Sequence, residues 1–254
     1  MDLGLRDRVV LVTGGGGGSG PTLGRAFAAE GAVVALHHRA GSPSAARAEQ
    51  AAAGIVADGG RAIAVSADLR STDDTTAMIE RVTAELGAVG VLVTATSGYA
   101  SGRFTEISDD AWASTLEDAL GATFRACRAV VPGMQAAGWG RIVTIAARSG
   151  LAGVARSAHY AAAKAAIVGL SASLAKELGP SGILVNAIAP TKILTVKDGV
   201  PSIPEEKAAE EAKTIPLRRI ATPDDLATLV VWLGSAANTY VTGETISLTG
   251  GTQR

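Results

Sequence analysis

Short apolar runs alternate with longer amphipathic ones along the whole chain. Val9–Thr13, Val33–His37, Ala62–Ser66, Val91–Thr94, Arg141–Ala146, Ile183–Ala189 and Thr245–Leu248 are brief and mostly rich in Val and Ile, and three of them end in Ser or Thr. Such runs predict buried strands. The stretches between them carry helical start signals. Ser42-Pro43 offers an N-cap followed by a proline at the first helical position. Ser71 with Asp74, and Thr222-Pro223 with Asp225, place an acceptor and a carboxylate at helix N-termini. Ser108 is placed to cap a long helix carrying Trp112 to Ala137. Strand and helix alternating in this way, with continuous apolar strands, predict an α/β fold: a Rossmann-type, doubly wound parallel sheet of about seven strands with helices on both faces.

No composition break or internal repeat divides the sequence, so one domain, 1–254, is expected. The segment 191–216 departs from the alternation, with Gly199, Pro201, Pro204 and a charged run from Glu205 to Lys213. A long insertion after a strand's carboxyl end reads as a substrate lid, the alternative being a solvated helical excursion.

Composition narrows the function classes. The formal net charge is −1, which gives no field for nucleic acid or an anionic membrane. Cys127 is the one cysteine, so a disulfide framework and a cysteine-based metal site are excluded, and no metal is expected. Met1 to Arg8 lack the shape of a signal peptide, and no apolar run reaches the length of a membrane span. A cytoplasmic protein acting on a small molecule is the expectation.

The first strand runs into Gly14-Gly15-Gly16-Gly17-Gly18-Ser19-Gly20, and a helix follows at once. Backbone N–H groups free of side chains, at a helix N-terminus, suit a pyrophosphate. A glycine run alone is weak, but a first strand, a first turn and a helix together point to nucleotide binding. Thr13-Gly14, Gly18 and Gly20 resemble the Thr-Gly-x-x-x-Gly-x-Gly turn of the short-chain dehydrogenase/reductase family, with Ser19 where an aliphatic residue is usual. Pro21 is tolerable in a first helical turn.

Further along, Tyr160-Ala161-Ala162-Ala163-Lys164 puts a phenol and an ammonium on one helix face. A phenol of pKa about 10 is a poor base at neutral pH, and acidifying it to neutrality needs about 4 kcal/mol of differential stabilisation, which a lysine and an oxidised nicotinamide can supply together. The resemblance implies that Tyr160 exchanges a proton with the substrate oxygen and that Lys164 also holds the nicotinamide ribose. It extends through Asn186 to Pro190, then Ile193 and Thr195, which resemble the segment gripping the nicotinamide carboxamide. It ends with Tyr240 to Gly243 and Gly250-Gly251, covering roughly residues 5 to 252.

For the nucleotide, an acidic residue ending the second strand would bind the ribose diol and repel a 2′-phosphate. Here the strand ends His37-His38-Arg39, and Arg39 can pair with a phosphate. NADP(H) is therefore favoured and NAD(H) remains open; Gly17 stands where many NADP-using relatives carry a basic residue. The resemblance also implies that Asp68-Leu69 flank the adenine. The expected cofactor contacts are Gly14, Gly18, Ser19, Gly20, His38, Arg39, Asp68, Leu69, Ala95, Lys164, Pro190, Ile193 and Thr195.

Three positions depart from the family pattern. The substrate-orienting serine, thirteen residues before the tyrosine, is Ala147, and Ser149 is the nearest hydroxyl. The asparagine of the preceding long helix aligns with Asp118, whose carboxylate is expected near Lys164, as proton relay or as plain salt-bridge partner. The Asn-Asn-Ala-Gly element reads Thr94-Ala95-Thr96-Ser97-Gly98. Arg148 and His159 adjoin the site and make a polar or anionic substrate conceivable. Three functions follow: an oxidoreductase moving hydride between nicotinamide and a small carbonyl, imine or alcohol; a non-redox dehydratase, isomerase or cyclase using Tyr160 and Asp118; and a catalytically vestigial dinucleotide binder. The resemblance also implies a homo-oligomer, tetramer or dimer, assembled through helices Asp109–Ala137 and Ala158–Leu178.

Overall fold

The structure, a computed structural model, describes residues 2–96 and 98–252. Seven parallel strands form the main sheet: β1 (Val9–Thr13), β2 (Val33–His38), β3 (Arg61–Ser66), β4 (Val89–Thr94), β5 (Gly140–Ile145), β6 (Ile183–Pro190) and β9 (Thr245–Leu248), in the order β3-β2-β1-β4-β5-β6-β9. A two-stranded antiparallel ribbon, β7 (Val196–Lys197) and β8 (Val200–Pro201), lies apart. The sheet expected from the apolar runs is present, with strand ends moved by a residue or two.

The pleat explains why the central strands carry no polar face. Val10 and Val12 of β1, with Val34, Leu36, Val91 and Val93, pack against helices α1 (Gly20–Ala29), α2 (Ser44–Ala57) and α9 (Pro223–Leu233). The alternate residues Val9, Leu11, Val33, Ala35 and Leu92 pack against α3 (Thr72–Leu86), α5 (Ala122–Ala137) and α7 (Ala158–Leu178) on the other face. With side chains alternating between two covered faces, both sets must be apolar. β1 pairs with β2 on one side and β4 on the other, so the chain winds outward in two directions and leaves a crevice at the carboxyl ends of β1 and β4.

Three expected caps are observed. Ser71 accepts the Asp74 N–H, Ser108 accepts that of Ala111 at the start of α4 (Asp109–Leu116), and Thr222 and Asp225 form a reciprocal capping box. The expectation at Ser42-Pro43 needs correction. α2 starts at Ser44 with Pro43 at its N-cap and no side-chain cap; the Ser42 hydroxyl instead donates to the Arg39 carbonyl (2.6 Å). Pro21 sits in the first turn of α1, as expected.

The helix from Asp109 to Ala137 is continuous but contains a π turn at Glu117–Gly121. In residues 191–216 the structure contains the β7–β8 ribbon and the exposed helix α8 (Glu205–Ala212). Asp198 and Gly199 both have positive φ, 52° and 79°, the two-residue turn that matches strand twist in a hairpin. The remaining short helix, α6 (Arg148–Ala152), follows β5. No helix among the described residues is long and apolar enough to cross a membrane.

One side chain ties the first three strands together at their carboxyl ends. The buried His37 imidazole accepts the Gly14 N–H at Nδ1 (3.1 Å) and contacts the Ala67 carbonyl through Nε2 (3.1 Å). An amide donor on one nitrogen and a carbonyl acceptor on the other assign the proton to Nε2. Burial depresses the His37 pKa to about 4, against the opposing hydrogen bond to Ala67; the neighbouring His38 and Arg39 charges act with burial. The unfolded chain therefore takes up this proton first, and His37's contribution to stability, present above pH 6.5, is lost as pH falls toward 4. Unfolding by urea should show stability lower by about 2 kcal/mol at pH 5 than at pH 7 from this group. His37→Asn should flatten that part of the slope; an unchanged slope would show that the acid sensitivity originates elsewhere.

Candidate active site

The β1–α1 turn is built for close approach. Gly14 has φ +69°, and a Cβ there would lie 2.7 Å from the Ala95 carbonyl oxygen, so only glycine serves. Ser19 occupies the N-cap of α1 without a side-chain hydrogen bond, leaving first-turn N–H groups facing the crevice. A cavity of about 380 Å³ opens over this turn, lined by Gly14, Gly18, Ser19, Gly20, Ala95, Tyr160, Lys164, Pro190, Ile193 and Thr195, all expected site residues. A second cavity, of about 340 Å³, shares Gly14, Gly18 and Ala95 and continues past the ends of β2 and β3, where it meets His38, Arg39 and Leu69. Of the expected cofactor residues, Asp68 alone lines neither; its carboxylate accepts the Arg70 N–H (3.0 Å). Ser97 lies outside the described residues.

The crevice fits an elongated dinucleotide on structural grounds. The Thr96 hydroxyl, in the loop beyond β4, is buried without a hydrogen-bond partner, and Thr96 lines both cavities. Buried unsatisfied hydroxyls are costly unless a ligand or water completes them. Thr195 closes over the turn: a Cβ on Gly18 would lie 2.8 Å from its side chain. Its backbone is fixed from the ribbon, the Thr195 N–H donating to Ser202 Oγ (3.0 Å) and its carbonyl accepting the Ser202 N–H (2.7 Å). Arg47 braces the same region, donating to the Gly16 carbonyl (2.9 Å) and pairing with Asp198 at the ribbon's tip (2.6 Å). This cavity could hold the adenosine end, and the Tyr160 cavity the nicotinamide end.

Tyr160 and Lys164 lie one turn apart on α7. The ammonium is 5.9 Å from the phenol ring centroid and donates to the backbone carbonyls of Ile145 (2.8 Å) and Thr96 (3.3 Å). Burial lowers the Lys164 pKa to about 8. For Tyr160, burial first, and then the neighbouring Tyr99, raise the pKa. The ammonium is committed to carbonyls in a low-dielectric pocket, and burial of the phenol disfavours phenolate. Tyr99 meets Tyr160 edge-on, with ring centroids 5.1 Å apart and planes at 77°. Sequence reasoning passed over it; its sign was an aromatic in the loop after the fourth strand.

The three departures from the family pattern resolve differently. Ala147 is buried beside Tyr160 and offers no donor. Ser149 enters a third cavity, of about 410 Å³, together with Tyr99, Ala147, Arg148 and Tyr160, and its buried hydroxyl has no partner. A Cβ on the next residue, Gly150, would lie 2.7 Å from the α7 backbone at Ala165, so α6 is pressed onto the helix carrying Tyr160 and Lys164. His159 is buried and lines none of the three cavities, whereas Arg148 faces the third.

Asp118 is not beside Lys164, which corrects the expected register. Its carboxylate binds Arg70 through two hydrogen bonds (2.7 and 2.9 Å) and Arg39 through one (3.1 Å), in the cavity past β2. Burial pushes its pKa up, but the hydrogen bonds from Arg70 and then Arg39 outweigh that and hold it below the usual carboxylate value. The helix residue that faces α7 is Ala119, packed with Ala146, Ala163 and Ile167. Consecutive helical residues point about 100° apart, so a shift of one residue exchanges the two environments. Arg70 went unnoticed in the sequence, although it follows the Asp68-Leu69 pair directly.

Comparison with known proteins agrees with this geometry. The family described as enoyl-(acyl carrier protein) reductase matches residues 18–253. Nodulation protein G of Azospirillum brasilense is 34% identical over 253 residues, covering 97% of this chain and 98% of that protein. A probable galactose dehydrogenase of Rhizobium meliloti is 36% identical over 247 residues (97% and 95%). A 3-oxoacyl-[acyl-carrier-protein] reductase of Chlamydia muridarum is 32% identical over 252 residues (97% and 98%). With the glycine turn, the Tyr160/Lys164 helix and the parallel sheet all in place, the chain belongs to the short-chain dehydrogenase/reductase family of oxidoreductases.

Proposed function

We propose that this chain transfers hydride between NADP(H) and a small organic carbonyl, imine or alcohol, with Tyr160 exchanging the proton on the substrate heteroatom. The observation that carries the reading is the shared cavity of Tyr160, Lys164 and the glycine turn. What the nicotinamide contributes when bound is the hydride donor or acceptor. The α1 N-terminus and the turn's N–H groups would hold the pyrophosphate, Lys164 the nicotinamide ribose, and Pro190, Ile193 and Thr195 the carboxamide end. Arg39 at the end of β2 favours NADP, with NAD still admissible. The names of the relatives, a reductase of 3-oxoacyl groups and a galactose dehydrogenase, are consistent with chemistry at a carbonyl or carbinol carbon.

Tyr160 is held as a phenol by burial and so is prepared to give its proton to a carbonyl oxygen as hydride reaches the carbon. The phenolate left behind is stabilised by the Lys164 ammonium, and solvent returns the proton. Reduction is the direction these groups suit. Ser149 supplies the oxygen-directed donor that Ala147 lacks; the support is its unpartnered buried hydroxyl in the same cavity as Tyr160. Segment 191–216 acts as the lid, with Lys192 paired to Glu211 of α8 beside the third cavity. Exposed Phe124 and Trp112 on the long helix support assembly of the chain into a homo-oligomer. The non-redox alternative keeps Ala147 in its favour but draws no support from Asp118, which is engaged by two arginines in the second cavity.

Three measurements test this reading. Across a panel of carbonyls and imines the protein should oxidise NADPH, and Tyr160→Phe should lower kcat by about 10²- to 10⁴-fold with nucleotide binding retained. No turnover anywhere on the panel would overturn the oxidoreductase reading. Ser149→Ala should lower kcat by about 10²-fold, and adding Ala147→Ser should restore much of it; an unchanged kcat would remove Ser149 from the chemistry. Because the Lys164 ammonium is lost as pH rises through about 8, kcat for reduction should decline above that pH. Lys164→Met should abolish that limb.

A further inference from the structure

The cavity past the end of β2 carries more charge than an unphosphorylated ribose needs. Arg39 follows β2, Arg70 follows β3, and Asp118 reaches them from the π turn of the long helix. Their contacts are unequal. Arg70 holds both Asp118 oxygens, Nε to Oδ1 at 2.7 Å and Nη2 to Oδ2 at 2.9 Å, and also reaches Ser114 Oγ (3.2 Å). Arg39 makes a single 3.1 Å hydrogen bond to Asp118, with Asp68 3.7 Å away, and 48% of its side chain is exposed. Arg70 is therefore fixed in a two-pronged pair, while Arg39 is tethered at one nitrogen and keeps other N–H groups for a ligand.

We propose that Asp118 is a specificity-determining residue for the nucleotide: it serves as the counter-ion of Arg39 when no 2′-phosphate is present, and so limits the preference for NADP over NAD. The inference rests on the dinucleotide reading above. A nucleotide without the 2′-phosphate meets Arg39 already paired with Asp118. A 2′-phosphate must draw Arg39 toward itself while settling near a carboxylate of like charge, and that repulsion offsets part of its gain. Arg70 keeps Asp118 in place during the exchange. Substituting Asp118 by Asn keeps an oxygen for Arg70 and removes the competing charge.

The test is direct binding by calorimetry, using 2′,5′-ADP and ADP as probes of the adenosine end, on wild type, D118N and R39A. D118N should bind 2′,5′-ADP about fivefold more tightly, with ADP affinity unchanged, which also reports an intact fold. Asp118→Ser should move 2′,5′-ADP affinity in the same direction, and R39A should erase the difference between the two probes. Unchanged or weaker binding of 2′,5′-ADP to D118N would overturn the proposal, because Asp118 would then be a bystander or a support for the arginines. Failure of the wild type to bind either probe would overturn the dinucleotide reading and this inference together; ADP binding with no response to D118N overturns the inference alone.

Discussion

The crevice depends on a backbone amide held by an imidazole. The Gly14 N–H ends on His37 Nδ1, and His37 Nε2 ends on the Ala67 carbonyl, so the tips of β1, β2 and the segment after β3 are fixed relative to one another. A parallel sheet has no hairpins to register its strand ends; here a buried, neutral side chain does it. The glycine turn has no side chains of its own to hold its shape, and its accuracy is borrowed from this contact and from the closeness of Gly14 to Ala95. If the imidazole moved, the N–H groups at the start of α1 would no longer point together.

Around the reacting groups, polarity is sparse. Ala119, Ala146, Ala147 and Ala163 are all buried near Lys164 and Tyr160, where hydroxyls and amides would usually organise water. Lys164 answers by bonding two backbone carbonyls directly. The low dielectric that follows weakens its own charge state and raises the cost of a phenolate on Tyr160. No side-chain donor stands at Ala147, and this gives weight to the buried hydroxyl of Ser149.

Much of the fold was legible because burial on both faces of the sheet forces unbroken apolar runs, as at Val9–Val12 and Val33–Leu36, and because caps such as Ser71 and Thr222 are local chemistry. The glycine turn and the Tyr160/Lys164 pair were legible as motifs with a required context. What escaped was set by geometry that spacing does not encode. Within the π turn at Glu117–Gly121, Ala119 and not Asp118 packs against α7. Arg70 and Asp118 are far apart in sequence and meet only once the sheet has formed. The β7–β8 ribbon carried its own sign, Asp198-Gly199, inside a stretch read as irregular.

Arg47 touches two otherwise separate parts of the protein, the carbonyl of Gly16 in the nucleotide turn and the carboxylate of Asp198 at the ribbon's tip. The guanidinium's Nε is spent on the Gly16 carbonyl and its Nη1 on Asp198, so the ribbon's tip is held to the turn by an ion pair. A single side chain thereby joins the position of the ribbon's tip to the shape of the glycine turn.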